Sequence, residues 1–385
     1  MKKSILILAA FAFVAFSCTK TEVKEDTSKK GINFSAYTVK PTKAPLGPQV
    51  DVITENLEKF EVTAIGNSET YFDNVTFKKI TVWESDTKYF WPAFPLTFCA
   101  YNTPTVNAEA GTTFTKTINT SEQKLFVKPN ADLAKQEDLV AAYAANMKEE
   151  HANSTENSLP ITFNHYLTQV IVKAKNSSST YNVVVNGVKL ANMAGEGTYT
   201  FGNPGTMVAT DGHVNSSSSV DYDETFNKKT LDGVAVEVMT NGTNGKWYLI
   251  PQTVRAWKRG KDVVDPDLKN NNTVNGTANG TYLALKVLIS TQAGAQIYPK
   301  TGSETAWMAV PVPAAQEFAQ GKRYTIILDF FGNNGAGYVD PEVPGELDGD
   351  NQTDDSGKPI VGSEIKFNAT VETWDDNDVT ITISL

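Results

Sequence analysis

The sequence predicts an all-β, sandwich-like fold of antiparallel strands with minor helix. Three observations predict it. Apolar side chains recur at every second residue through most of the chain, the period of half-buried strands. Clusters such as NSSSS, NGTNG and NNNTVNGTANG punctuate those runs with turn-forming residues. Helical spacing is concentrated in one place, residues 132–148.

Taken in chain order, the first element is a leader. Met1-Lys2-Lys3 is basic, and residues 5–16 (ILILAAFAFVAF) are continuously apolar. That length suits the core of a secretory signal and is too short to span a bilayer as a helix. Ser17 precedes Cys18, and Ala15-Phe16-Ser17-Cys18 resembles the lipobox of bacterial lipoproteins. The resemblance implies acylation of the Cys18 thiol, although Phe16 and the missing Leu depart from the strictest pattern. With Cys18 lipidated, Cys99 is the second of two cysteines and has no disulfide partner. Its setting in PLTFCAY makes it a small core residue rather than a reactive thiol. Residues 19–30, polar except for Val23, read as a flexible tether.

Ile32, Phe34 and Ala36 then open the first strand, with polar residues between them. The segment DLAKQEDLVAAYAANMK, residues 132–148, spaces Leu139, Tyr143 and Met147 four apart and predicts a helix over a sheet edge. Val170, Val172 and Ala174 form the next clear strand. Asn186-Gly187 after YNVVV predicts a hairpin turn. The polar tract 203–230 reads as a large surface loop. Further strands follow at Leu283–Ile289, Tyr324–Phe330 and Ile365–Val371. Val379, Ile381, Ile383 and Leu385 end the chain on the same period.

Length and charge bound the function. A chain of 385 residues is long enough for two domains of ordinary size. A formal net charge of −10 argues against nucleic acid as a partner. The three histidines, His151, His165 and His213, are not at ligand spacing, and no HExxH or CxxC occurs, so no metal site is assigned. Residues 340–355 carry seven acidic side chains, with Asp348, Asp350, Gln352 and Asp354 alternating as calcium ligands would. Thr353 stands where a calcium loop needs Gly and Pro359 where it needs Glu, so the stretch reads as a solvated acidic loop. No G-x-S-x-G occurs and no cysteine has a plausible His partner. Asp375-Asp376 reads as a turn. His165 in FNHYL reads as a structural histidine. Trp247, Trp257 and Trp307 are candidates for stacking on glycans, but tryptophans in sandwiches are mostly core. No catalytic residue, cofactor or metal is assigned.

Several segments together resemble the fimbrillin (Mfa-like) family of Bacteroidetes. They are GINFSAYTVKPTKAP, KYFWPAFPLTFCAYNTP, DLVAAYA with LPITFNHYLTQVIVKAKN, WYLIPQT, GKRYTIILDF and IKFNATVETW, in that order. The likeness covers nearly all of the chain after Cys18. It implies two transthyretin-like antiparallel β-sandwich domains in a subunit of a type V pilus. The expected layout is a signal peptide over 1–17, a tether over 18–30, an N-terminal sandwich over 31–175 with a removable first strand, and a C-terminal sandwich over 176–385. The resemblance implies a lipoprotein carried to the outer-membrane surface. A surface trypsin-like protease then removes the first strand, and the C-terminal strand of a neighbouring subunit fills the groove.

The residues supply candidates for each part. Ile32, Phe34 and Ala36 present one apolar face to a groove. Val379, Ile381, Ile383 and Leu385 present a matching row, as strand addition requires. Lys43–Ala44 is the better protease site, because Lys40 is followed by Pro41. The family more often has Arg there. Partners would be other pilin subunits, the protease, the membrane through the anchor, and a host or bacterial glycan or protein ligand reached through the loops around 203–230 and 258–280. The rival reading is a monomeric outer-membrane glycan-binding lipoprotein, which predicts no processing at Lys43 and a dispensable last strand.

Overall fold

The computed structural model describes residues 30–38, 57–102, 112–132, 135–210, 218–239, 245–258, 273–274, 277–278, 280–302, 304–342, 357–362, 365–373 and 381–384. Within them the chain is all-β. The first strands are β1 (Phe34–Thr38), β2 (Lys59–Gly66), β3 (Glu69–Lys79), β4 (Trp83–Ser85), β5 (Leu96–Asn102), β6 (Thr113–Ile118), β7 (Gln123–Lys128), β8 (Val140–Met147) and β9 (Leu159–His165). Next come β10 (Thr168–Asn176), β11 (Tyr181–Ala194), β12 (Gly197–Thr200), β13 (Thr206–Ala209), β14 (Ser219–Leu231), β15 (Val236–Glu237), β16 (Trp247–Leu249), β17 (Gln252–Thr253), β18 (Thr273–Val274) and β19 (Thr277–Ala278). The last are β20 (Tyr282–Thr291), β21 (Gln296–Tyr298), β22 (Ala306–Pro311), β23 (Glu317–Phe318), β24 (Lys322–Phe330), β25 (Tyr338–Val339), β26 (Lys366–Thr373) and β27 (Ile381–Ser384).

Seven strands close on one another into a barrel in the order β1-β4-β3-β2-β5-β8-β9. The first core is thus ringed by continuous pairing rather than held between two separate sheets. Phe34, Phe60, Phe77, Phe98, Trp83 and Phe163 fill it. A second core lies between two six-stranded sheets, β15-β10-β24-β26-β27 with β16, and β14-β11-β20-β22-β25 with β21. Val170, Val172 and Ile326 of the one sheet share it with Val183, Leu190 and Leu283 of the other. Most pairings are antiparallel, as expected, but β1–β9 and β10–β24 run parallel. Each parallel pair joins strands far apart in sequence, which leaves ample chain for the crossover.

A third, four-stranded sheet, β13-β12-β7-β6, unites strands from both halves of the chain. Its core draws Leu125 and Val127 from β7, Tyr199 from β12 and Met207 from β13. Cys99 and Tyr101 of β5 join the same cluster, whereas Phe98 and Ala100 face the barrel interior. Strand β5 is therefore buried on both faces. Sheet membership changes between β9 and β10, at Tyr166-Leu167.

Three local expectations are corrected. The predicted helix over 132–148 is instead a loop followed by β8, which pairs with β5 and β9. Ala142 and Ala144 face the barrel core and Ala141 the third core. With both faces packed, strand alternation is lost, and the small residues mimic a helical pattern. The predicted turn at Asn186-Gly187 lies inside β11, at the bulge between Val185 and Gly187. Tract 203–230 is not one loop, for it contains β13 and most of β14. The minor helix among the described residues is a 3₁₀ turn at Glu149–His151, with Lys135 also in 3₁₀ conformation. No helix among them is long and apolar enough to cross a membrane.

Candidate functional site

The site is built around β1. Along it Ile32, Phe34 and Ala36 are buried while Gly31, Asn33, Ser35 and Tyr37 are partly exposed. This is the period-two pattern of a strand with one face in a core. Its backbone pairs in parallel with β9 from Phe34↔Leu159 to Thr38↔Phe163. On the other side it meets β4 at Phe34↔Trp83 alone. Upstream, the Ile32 amide donates to the Tyr89 carbonyl at 2.7 Å, and the Leu159 amide donates to the Asn33 carbonyl at 2.7 Å. Strand β1 thus closes the barrel between β4 and β9.

Phe34 is the plug. It is fully buried, with ring centroids 4.8 Å from Phe77, 5.3 Å from Phe98 and 6.0 Å from Phe60, each in an edge-on arrangement. Phe60 meets Trp83 at 4.8 Å and Phe163 at 5.1 Å, so the rings form one connected floor. Such pairs add to simple area burial. Removing β1 would leave an open-sided aromatic groove walled by β4 and β9.

The other predicted residues fall in separate places. Ile381 and Ile383 lie on β27, whose backbone pairs with β26 of the same chain as Val371↔Ile381 and Ala369↔Ile383. Strand β27 ends the six-stranded sheet and is not brought to the β1 groove. Cys18, Lys43, Ala44, Val379 and Leu385 lie outside the described residues, as do most of the acidic stretch after Glu342 and most of the 258–280 loop. The wall residues Leu159 and Ile161 were not singled out in the sequence, although the alternation in LPITF signals them.

The remaining candidates are packing residues. His165 Nδ1 lies 2.5 Å from Asp138 Oδ2, tying the end of β9 to the loop before β8. Trp247 and Trp257 are buried, so neither presents a face to a glycan. Cys99 is fully buried, and burial pushes its thiol up to about 12. No group of three or more His, Cys, Asp or Glu side chains among the described residues could hold a metal ion.

Comparison with known proteins follows this geometry. The model of a family described as fimbrillin-like matches residues 42–342. A fimbrial protein from Bacteroides vulgatus has a similar solved fold, with a TM-score of 0.56 at 16% identity, over 90% of this chain and 100% of that one. The tip fimbrial protein Mfa3 from Porphyromonas gingivalis, in a C-terminally truncated form, is a more distant likeness. It has a TM-score of 0.36 at 11% identity, over 71% of this chain and 90% of that one. The fimbrial anchor protein Mfa2 from the same organism matches at 0.33 and 11% identity, over 90% and 98% of the two chains. No curated protein matches the sequence.

Proposed function

The chain belongs to the fimbrillin-like family, and on that premise we propose that it is a surface fimbrial subunit assembled by strand exchange. It is exported as a lipoprotein, anchored in the outer membrane through Cys18, and it performs no catalysis. A trypsin-like protease cuts Lys43–Ala44, the bond that follows β1 in sequence, and β1 then leaves. Val379, Ile381, Ile383 and Leu385 of another subunit, identical or related, fill the groove. The unit that accepts the strand ends near His165, and the unit that donates it begins near Thr168. Exposed loops are left to bind a host or bacterial glycan or protein.

The single observation that carries this reading is the placement of β1. It is a short strand that completes a barrel by itself, precedes the basic site, and buries one apolar row. A replacement strand recovers backbone pairing along β9 and knob-in-pocket register along the floor. Each large apolar knob contributes roughly 1.5–3 kcal/mol when buried. That magnitude makes a freed β1 replaceable by a strand of similar pattern, and makes an empty groove unstable.

The experiment is trypsin treatment of the full chain carrying Cys18→Ser, followed by intact mass and an unboiled denaturing gel. Cleavage at Lys43–Ala44 and a ladder of oligomers, lost when residues 379–385 are deleted, is the expected result. A chain that resists cleavage, or is cut and stays monomeric, overturns strand exchange.

A further inference from the structure

Far from β1, on the outer face of the β14-β11-β20-β22-β25 sheet, a lysine is walled in with two carboxylates. Lys189 projects from β11 on the face opposite Val188 and Leu190, which belong to the second core. Its side chain is 8% exposed, that of Asp340 is 0% and that of Glu342 is 15%. The chain after β25 turns back across the sheet, so Asp340 and Glu342 lie over β20 and β11. Nζ of Lys189 stands 3.6 Å from Asp340 Oδ2 and 3.5 Å from Glu342 Oε2. It also donates to the Tyr282 hydroxyl at 2.8 Å. The rings of Tyr282 and Trp307 lie 5.0 and 5.7 Å from the nitrogen, and Trp257 packs on Tyr282.

The arrangement is more than a two-group ion pair. Asp221 lies beside it, accepting a hydrogen bond from the Asn192 amide at 2.8 Å, and its carboxyl is raised above the usual range by burial. Three carboxyl groups thus gather around the Lys189 ammonium in a buried, aromatic-lined setting. Buried charges of this kind cost more to desolvate than their attraction returns, unless the geometry is excellent.

The same geometry is that of a condensation. We infer that Lys189 and Asp340 are a site of covalent modification, an intramolecular amide between Nζ and the Asp340 carboxyl carbon. The nitrogen is the nucleophile, already held beside its target. Oδ1 of Asp340 accepts from the Tyr282 hydroxyl at 3.2 Å and from the Glu342 backbone amide at 2.9 Å, two donors placed to hold the oxyanion of the addition step. Oδ2 is the leaving oxygen. Glu342 takes a proton from the ammonium and passes it to that oxygen. Asn192 Nδ2 donates to the other Glu342 oxygen at 3.1 Å and fixes its direction. The atoms balance without a co-reactant. Of the three ammonium protons one stays on the amide nitrogen and two leave with Oδ2 as water. The C–O bond breaks as the C–N bond forms, and nothing is oxidised or reduced. One buried cation and one buried anion disappear. Strand β11 becomes covalently joined to the segment after β25, closing the sheet's outer layer against unravelling when the chain is pulled. The inference rests on this sheet alone and is independent of strand exchange.

Peptide mapping of the purified full-length chain tests it. The expected result is a branched tryptic peptide joining Lys189 to Asp340, one water lighter than its two parts, with no cleavage after Lys189. Asp340→Asn should yield the same amide with ammonia expelled instead. Glu342→Gln should return both peptides unlinked. Recovery of both linear peptides at their sequence masses from the unmutated chain overturns the inference, whatever the variants do. A link to Glu342 in place of Asp340 overturns the assignment of the two carboxylates.

Discussion

Phe34 carries more of the barrel than any other residue of β1. Its ring is fully buried against three other phenylalanines, so truncation removes both transfer energy and edge-on contacts. Phe34→Ala should cost about 3–5 kcal/mol, read as a lower denaturant midpoint at unchanged slope. Ser35 lies on the other face of the strand, its Oγ buried without a hydrogen-bond partner, and Ser35→Ala, which removes only that oxygen, should shift the midpoint far less. Cys99 offers a second test at this scale. Its thiol is pushed up to about 12 by burial, while an unfolded thiol ionises near about 8.5. The folded-state value is raised, so the contribution of this group is fully present below the unfolded value and is lost as pH rises from there towards 12. In a Cys18→Ser chain, the sole remaining thiol should resist alkylation in native buffer at neutral pH and react at once in denaturant. Rapid labelling of the native chain would contradict the burial. Both residues were legible in the sequence, because β1 has one face inside and the alternation in PLTFCAY makes Cys99 a small core residue. The ion cluster at Lys189 was not, since its members are spread from β11 to the segment after β25 and meet only through the fold.

At the scale of elements, legibility followed the number of buried faces. Strands with one face in a core, such as β1 and β24, alternate and were read directly. Strand β8 packs on both faces, lost its alternation, and was read as a helix. Asn186-Gly187 has turn chemistry, yet the chain continues through it in β11 with a bulge instead of turning back. The glycine is needed there for a different reason. A Cβ on Gly187 would lie 3.1 Å from both Lys286 Cβ and Trp307 Cη2, and 3.2 Å from the Glu224 carbonyl. The bulge brings a neighbouring strand and an indole too close for a side chain. Gly187→Val should therefore destabilise by about 1–3 kcal/mol, in the range of overpacked cores. Gly233→Ala, where a Cβ meets nothing within 4 Å, should be close to neutral. Equal effects in thermal melts of the two variants would mean that the bulge yields freely.

Across the whole molecule, the question is whether the barrel and the two six-stranded sheets move as one body. The four-stranded sheet argues that they do. Strand β12 pairs with β7 from Gly197↔Val127 to Thr200↔Lys124, so backbone hydrogen bonds cross from one half of the chain to the other. Further hydrogen bonds reinforce the seam. The Tyr248 amide donates to Gln136 Oε1 at 2.8 Å, and the Phe201 amide donates to the Gln123 carbonyl at 2.9 Å. Tyr199 sits at its centre, fully buried, with its ring 4.2 Å from Tyr166 and 4.8 Å from Phe201. Because β5 lends one face to the barrel and the other to this shared core, loosening either core exposes apolar surface on the other. The intact chain should then unfold in a single cooperative calorimetric transition despite its length. Tyr199→Ala should cost about 3–5 kcal/mol, the range for large aromatic truncations, and should split that transition in two, with the barrel melting separately. A mutant that melts lower but still as one unit would place the coupling elsewhere than in this sheet.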